Sequence, residues 1–134
     1  MFEVVAQEFG QWHVVVLLIE GGANIHTVDQ NGLNLLHWAS YQGLDHVAKA
    51  ILQAWGHVNK ATRDGVTSLI CACQQGHAMV VQTVLETGAD VEGGPFDIRP
   101  YLVAQDAGHT DVMLTLIKAG ANVTVIEQNE FTRL

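Results

Sequence analysis

The chain has 134 residues, 49% of them hydrophobic and 15% charged, with a formal net charge of −8. That is enough apolar material for one domain with a buried core. Its six Lys and Arg residues are scattered, leaving no basic stripe for a phosphate backbone, so nucleic acid is not an expected partner.

The longest strongly apolar run, Val14 to Ile19, is far shorter than the roughly 20 residues that span a bilayer. No membrane association is expected. A basic leader and a small-residue cleavage site, the marks of a signal peptide, are also missing from the N-terminus. The only cysteines are Cys71 and Cys73. On a helix, positions two apart point to different faces and cannot be bridged to each other. A reducing compartment, cytoplasm or nucleus, is the expectation.

Along the chain, one phrase recurs: Ala6 to Gly10, Ala39 to Gly43, Ala72 to Gly76 and Ala104 to Gly108 each read Ala, three residues, Gly. The glycines lie 33, 33 and 32 residues apart. After each comes an apolar stripe at one offset. It is Val14, Leu18 and Ile19 in the first copy and Val47, Ile51 and Leu52 in the second. Val80, Val84 and Leu85 follow, then Val112, Leu116 and Ile117. Steps of four and five residues put these side chains on one face of a helix. Each stripe closes on a glycine turn, at Gly21-Gly22, Gly56, Gly88 and Gly120, because glycine takes the left-handed conformation that stops a helix. A copy therefore reads helix, glycine turn, helix, glycine turn, short extended hairpin. One such unit cannot bury its own apolar faces, whereas stacked units build a continuous core.

A period near 33 with a T-P-L-H-x-A segment marks the ankyrin repeat, and the chain resembles that family over nearly its whole length. The segment is divided among copies: Leu36-His37-Trp38-Ala39 in the second, Thr67, Leu69 and Ala72 in the third, Pro100 and Ala104 in the fourth. Gly76-His77 and Gly108-His109 match the opening of the second helix. Gly22-Ala23-Asn24-Ile25, Gly88-Ala89-Asp90-Val91 and Gly120-Ala121-Asn122-Val123 match the turn after it. The resemblance implies an all-α ankyrin-repeat solenoid, helix-turn-helix pairs stacked and joined by short β-hairpin loops. As one domain, it divides into a helix-only start (1–26), three copies (27–59, 60–92 and 93–124) and the stub of a fifth (125–134).

Two departures carry expectations. Trp55 stands where the turn glycine belongs, so α-helix is expected to run one residue further and Gly56 to take the left-handed turn. The hairpin from Glu92 to Arg99 is one residue short and holds Gly93, Gly94 and Pro95. It is expected to be the least regular and most mobile. At the ends, Phe2, Val4 and Val5 look poorly covered, because terminal repeats normally carry polar caps.

Seven histidines raise the question of zinc. His13 and His46 fall at equivalent places, as do His77 and His109. Equivalent sites on packed helices sit about 8–10 Å apart, whereas zinc draws its nitrogens to within roughly 2.1 Å. Neither H-x3-H nor C-x2-C pairing occurs, so no metal and no cofactor are expected. In the resemblance, His37 takes the motif histidine's role of bonding between hairpins. Cys71 reads as an inert core thiol. No glycine-rich phosphate loop or G-x-S-x-G elbow is visible, and no catalytic residue is assigned. The closing Thr132 and Leu134 fit the pattern that PDZ domains capture, but they also fit the opening of a fifth repeat, the preferred reading. Asn59 resembles the hairpin asparagine that asparaginyl hydroxylases modify, with a structural cap as the preferred role.

The family resemblance places the binding surface on the concave face, made of hairpin tips and first-helix ends. Its positions are Val28, Gln30, Asn31, Leu33, Tyr41 and Gln42, then Arg63, Asp64, Val66, Gln74 and Gln75, then Phe96, Ile98 and Asp106. Leu33, Tyr41, Val66, Phe96 and Ile98 have no motif duty there, and an apolar ridge with aromatic members bordered by polar groups suits a binding hot spot. Trp12 and Trp38 read as packing residues. The expected function is that of a monomeric protein-binding module. The alternatives are a regulatory or recruiting fragment of a larger enzyme, channel or signalling protein, or an engineered repeat without a natural partner.

Overall fold

Glycine and the N-capping residues divide the chain into short helices. The structure is a computed structural model that describes residues 28–54, 57–94 and 98–121. Its helices are α1 (Leu35–Gln42), α2 (Asp45–Ala54), α3 (Ser68–Gln75), α4 (Ala78–Glu86), α5 (Pro100–Ala107) and α6 (Thr110–Lys118). No strand forms among the described residues.

Each first helix starts on a different device. Asn34 caps α1: its side-chain oxygen accepts from His37 N, and His37 Nδ1 accepts from Asn34 N. This is a capping box with histidine in the place usually held by Glu or Gln. Thr67 caps α3 by accepting from Ile70 N. α5 has no side-chain cap and opens instead on Pro100, whose missing N–H is no loss at the first helical position. All three end alike, on Gly43, Gly76 and Gly108 in the left-handed region.

The helices form two layers. α1 packs on α3 and α3 on α5, while α2 packs on α4 and α4 on α6. Within each pair the two helices also touch. Between the layers lies one core: Leu36, Ala39, Val47, Ile51, Leu69, Ala72, Val80, Val84, Ala104, Val112 and Leu116 are all buried. The alanines of the recurring phrase, Ala39, Ala72 and Ala104, are fully buried. The larger aliphatics of the stripe each contribute about 1.5–3 kcal/mol by leaving water. Trp38 is partly buried against this core, as a packing residue should be.

The connections between pairs are single tight turns. Asp29 N donates to Leu33 O and Gly32 N to Asp29 O; Thr62 N donates to Val66 O and Gly65 N to Thr62 O. Side chains close the same turns: Asp29 Oδ1 accepts from Asn31 N and Leu33 N, and Thr62 Oγ1 from Val66 N. In the next copy the corresponding link holds Gly93 and Gly94, which have no side chain to offer. Most of that hairpin's tip (95–97), the Trp55–Gly56 turn, and the expectations for both ends of the chain lie outside the described residues.

Candidate partner-binding face

The first-helix ends bring three side chains into register. Tyr41, Gln74 and Asp106 each stand two residues before the terminal glycine, on helices that pack side by side. All three are exposed. Gln42 is exposed beside Tyr41, and Gln75 is half-buried beside Gln74. A second row runs through the residues just before each first-helix cap: Leu33, Val66 and Ile98. Leu33 is 36% exposed, while Val66 and Ile98 are half-buried.

Turn tips make a third row. Arg63 N donates to Asn31 O at 3.0 Å, tying two neighbouring tips together. Around that bond, Val28, Gln30, Asn31, Arg63 and Asp64 are exposed. Of the residues assigned to this face from the sequence, only Phe96 lies outside the described residues.

Histidines hold the rows in register. His37 Nδ1 accepts from Asn34 N, which places the ring proton on Nε2, and Nε2 donates to Lys60 O at 2.8 Å. Burial lowers its pKa below 6.5, against the smaller upward pull of the Lys60 carbonyl and of Asp29. His77 Nε2 donates to Tyr41 O at 3.0 Å and His109 Nε2 to Gln74 O at 3.2 Å. The sequence marks these two residues as helix openers; that they also reach back to the preceding first helix was not legible in it. Asn59 acts as a clasp on the other side, donating to Gly88 O at 3.1 Å and accepting from Asp90 N at 2.7 Å. Its amide is engaged at both ends, in keeping with a structural cap.

Among the described residues no cluster of three or more His, Cys, Asp or Glu could hold a metal ion. Cys71 and Cys73 are buried free thiols on α3. Burial pushes Cys71 up to about 11 and Cys73 up to about 12, with the neighbouring Cys71 adding to the second shift. A thiol held protonated in this way is a poor nucleophile. No helix of the described residues is long and apolar enough to cross a membrane.

The helix pairs, the glycine caps and the histidine register recur as one unit, and a family profile for ankyrin repeats in three copies matches residues 2–93. The chain belongs to the ankyrin repeat family. Its α5–α6 pair lies beyond the matched residues, yet it packs on the preceding pair as an ankyrin repeat does and is held by the same histidine contact.

Similar proteins include mouse Protein fem-1 homolog A-like, 27% identical over 76% of the chain. Palmitoyltransferase AKR1 of Lachancea kluyveri is 32% identical over 58%, and human Ankyrin repeat and KH domain-containing protein 1 is 31% identical over 73%. The chain spans 16%, 11% and 4% of the lengths of these three relatives. Ankyrin repeats are in general non-enzymatic modules of protein–protein interaction.

Proposed function

We propose that this ankyrin chain is a binding module whose partner, a protein, lies along the rows led by Tyr41 and Leu33. The observation that carries this reading is Tyr41 itself, 48% exposed on α1. Its counterparts in register are Gln74 and Asp106, both exposed and polar. A position that accepts an amide and a carboxylate has no packing need for an aromatic ring. An exposed tyrosine is a favoured interface anchor because it offers large area at little entropic cost. Leu33 and Val28 add apolar surface; Gln30, Asn31, Gln42, Arg63, Asp64, Gln74, Gln75 and Asp106 supply a polar border. Val66 and Ile98, both half-buried, extend the ridge, and Phe96 belongs to it by the sequence reading alone.

A second reading, regulation or recruitment within a larger enzyme, channel or signalling protein, is favoured by one observation: the chain corresponds to a small part of each of these relatives, one of them named as a palmitoyltransferase. Both readings use the same face.

The test is quantitative affinity capture with three proteins: the wild type, a Leu33→Ser/Tyr41→Ala variant, and a Met79→Ser variant altered on the second-helix layer, where Met79 is exposed. Proteins retained by wild type and Met79→Ser but lost by the double variant are the expected result. Equal retention by all three, with circular dichroism unchanged, would remove the face from consideration.

A further inference from the structure

Most carboxylates of the described residues are engaged within the fold. Asp29 Oδ1 accepts from two turn amides. Asp45 pairs with Lys49 at 3.1 Å and accepts from the Thr83 hydroxyl. Glu86 accepts from the Gln82 amide, Asp90 from Glu92 N and Asp111 from Val112 N. Glu92 is engaged as well. The carboxylates of Asp64 and Asp106 are different: among the described residues they accept nothing and pair with nothing. Both are exposed, and both stand on the rows assigned to the partner.

Arg63 is the direct neighbour of Asp64 and offsets its charge. Asp106 has no such neighbour. Residues 100–117 contain no Lys or Arg, and Arg99 and Lys118 stand at the far ends of α5 and α6. Asp106 also falls in the last turn of α5, which holds no basic residue. The helix dipole is negative there and disfavours a carboxylate. Tyr41 and Gln74, at the same register of α1 and α3, show that stacking itself needs no charge at this place. Asp106 is thus an unmet electrostatic demand that a cation from outside the chain would satisfy.

The first-helix row is graded along the stack: aromatic at Tyr41, amide at Gln74, carboxylate at Asp106. Helices packed side by side lie about 8–10 Å apart, so Tyr41 and Asp106, two helices apart, are separated by about 16–20 Å. An extended chain advances about 3.3 Å per residue, so about five or six residues cover that span. Between the two ends the side chain of Gln74 is exposed and makes no bond within the chain. Its amide offers both a donor and an acceptor, as the main chain of a passing strand requires.

We propose that the partner presents an extended basic segment, with a Lys or Arg side chain on Asp106 about five or six residues from an apolar side chain set against Tyr41 and Leu33. This rests on the face proposed above and adds the charge, conformation and spacing of its occupant. The net charge of −8 draws such a segment in from a distance.

The experiment selects phage-displayed random dodecapeptides on the full chain and, in parallel, on Asp106→Arg and on Leu33→Ser/Tyr41→Ala. The wild type should enrich peptides in which an apolar residue and a Lys or Arg stand about five or six positions apart. A synthetic peptide from that pool should bind Asp106→Arg more than about fivefold more weakly, since an exposed ion pair is worth up to about that factor and reversal adds repulsion. The same peptide with its basic residue changed to Glu should regain affinity for Asp106→Arg. Binders that need Leu33 and Tyr41 yet bind wild type and Asp106→Arg equally would overturn this inference and leave the face standing. Enrichment of acidic or uncharged peptides by the wild type would overturn it too. A pool indifferent to Leu33 and Tyr41 would remove the face itself, and the basic segment with it.

Discussion

The imidazole of His77 lies across Gly43, its Nε2 donating to Tyr41 O at 3.0 Å. One ring does two jobs. It satisfies a carbonyl at the end of α1, where helices leave their last acceptors without intrahelical partners. It also fills the space that glycine leaves when it turns left-handed to end that helix. The glycine is therefore required twice, by its own φ of 76° and by the ring of the next repeat. His109 and Gly76 repeat the arrangement one unit later.

From this double requirement follows a graded effect of alanine. At Gly108 the methyl meets open space among the described residues, so Gly108→Ala should cost only the left-handed penalty, about 1–2 kcal/mol. At Gly76 the methyl would stand 2.6 Å from His109 Nδ1, and the ring must leave its carbonyl. Gly76→Ala should cost about 1 kcal/mol more than Gly108→Ala, the worth of one hydrogen bond. Urea denaturation of both variants measures the difference. Equal midpoints would mean that the ring moves aside freely.

Stability should fall on mild acidification, and His37 should be a main reason. Its Nδ1 accepts the Asn34 N–H, so a proton added there would face a donor and break the capping box. Burial holds the folded-state pKa below the ordinary 6.5. The unfolded chain therefore takes up the proton first as pH falls. The contribution is complete above pH 6.5, shrinks as pH drops below that value, and is gone once pH passes beneath the folded-state pKa. Urea midpoints between pH 7.5 and pH 5 should show this decline. In His37→Gln the slope should be shallower, whatever the variant's absolute stability; an unaltered slope would assign the pH dependence to other groups.

How far the sequence carried depended on whether a feature was local. Gly43, Gly76 and Gly108 were readable because the conformation that ends a helix selects glycine at each site. The stripes of Val47, Val80 and Val112 were readable because 3.6-residue periodicity is a property of one segment. The His77–Gly43 contact was not, since it joins residues from different repeats whose meeting depends on the stacking distance. Nor did the sequence reveal the Asn34–His37 capping box, because its usual form ends in Glu or Gln. Leu33, Val66 and Ile98 look equivalent in sequence. They differ in exposure because each depends on which neighbour covers it.

Asn59 offers a test of a clasp made by a single exposed amide. Its side chain spans Gly88 O and Asp90 N, holding the turn after α4 against the link that precedes α3. Asn59→Ala should cost about 1 kcal/mol, since two neutral bonds at an exposed site are partly replaced by water. Asn59→Asp keeps the acceptor for Asp90 N–H but loses the donor to Gly88 and sets a carboxylate near Asp90. It should be no better than alanine at pH 7. A fully stable Asn59→Asp at pH 7 would show that the Gly88 bond contributes nothing.

Cys71 and Cys73 should be silent toward thiol reagents until the fold opens. At pH 8 a group titrating near 11 is about one part in a thousand thiolate, and one near 12 about one part in ten thousand. Both side chains are buried on α3, so reagent access requires opening of the packing against α1 and α5. Native protein should therefore react at least about 100-fold more slowly than urea-unfolded protein, whose thiols return to ordinary acidity. The native rate should also rise in Gly76→Ala, which loosens the end of the same helix, and less in Gly108→Ala. If the native thiols reacted as fast as the unfolded ones, α3 would not be the closed centre of the stack.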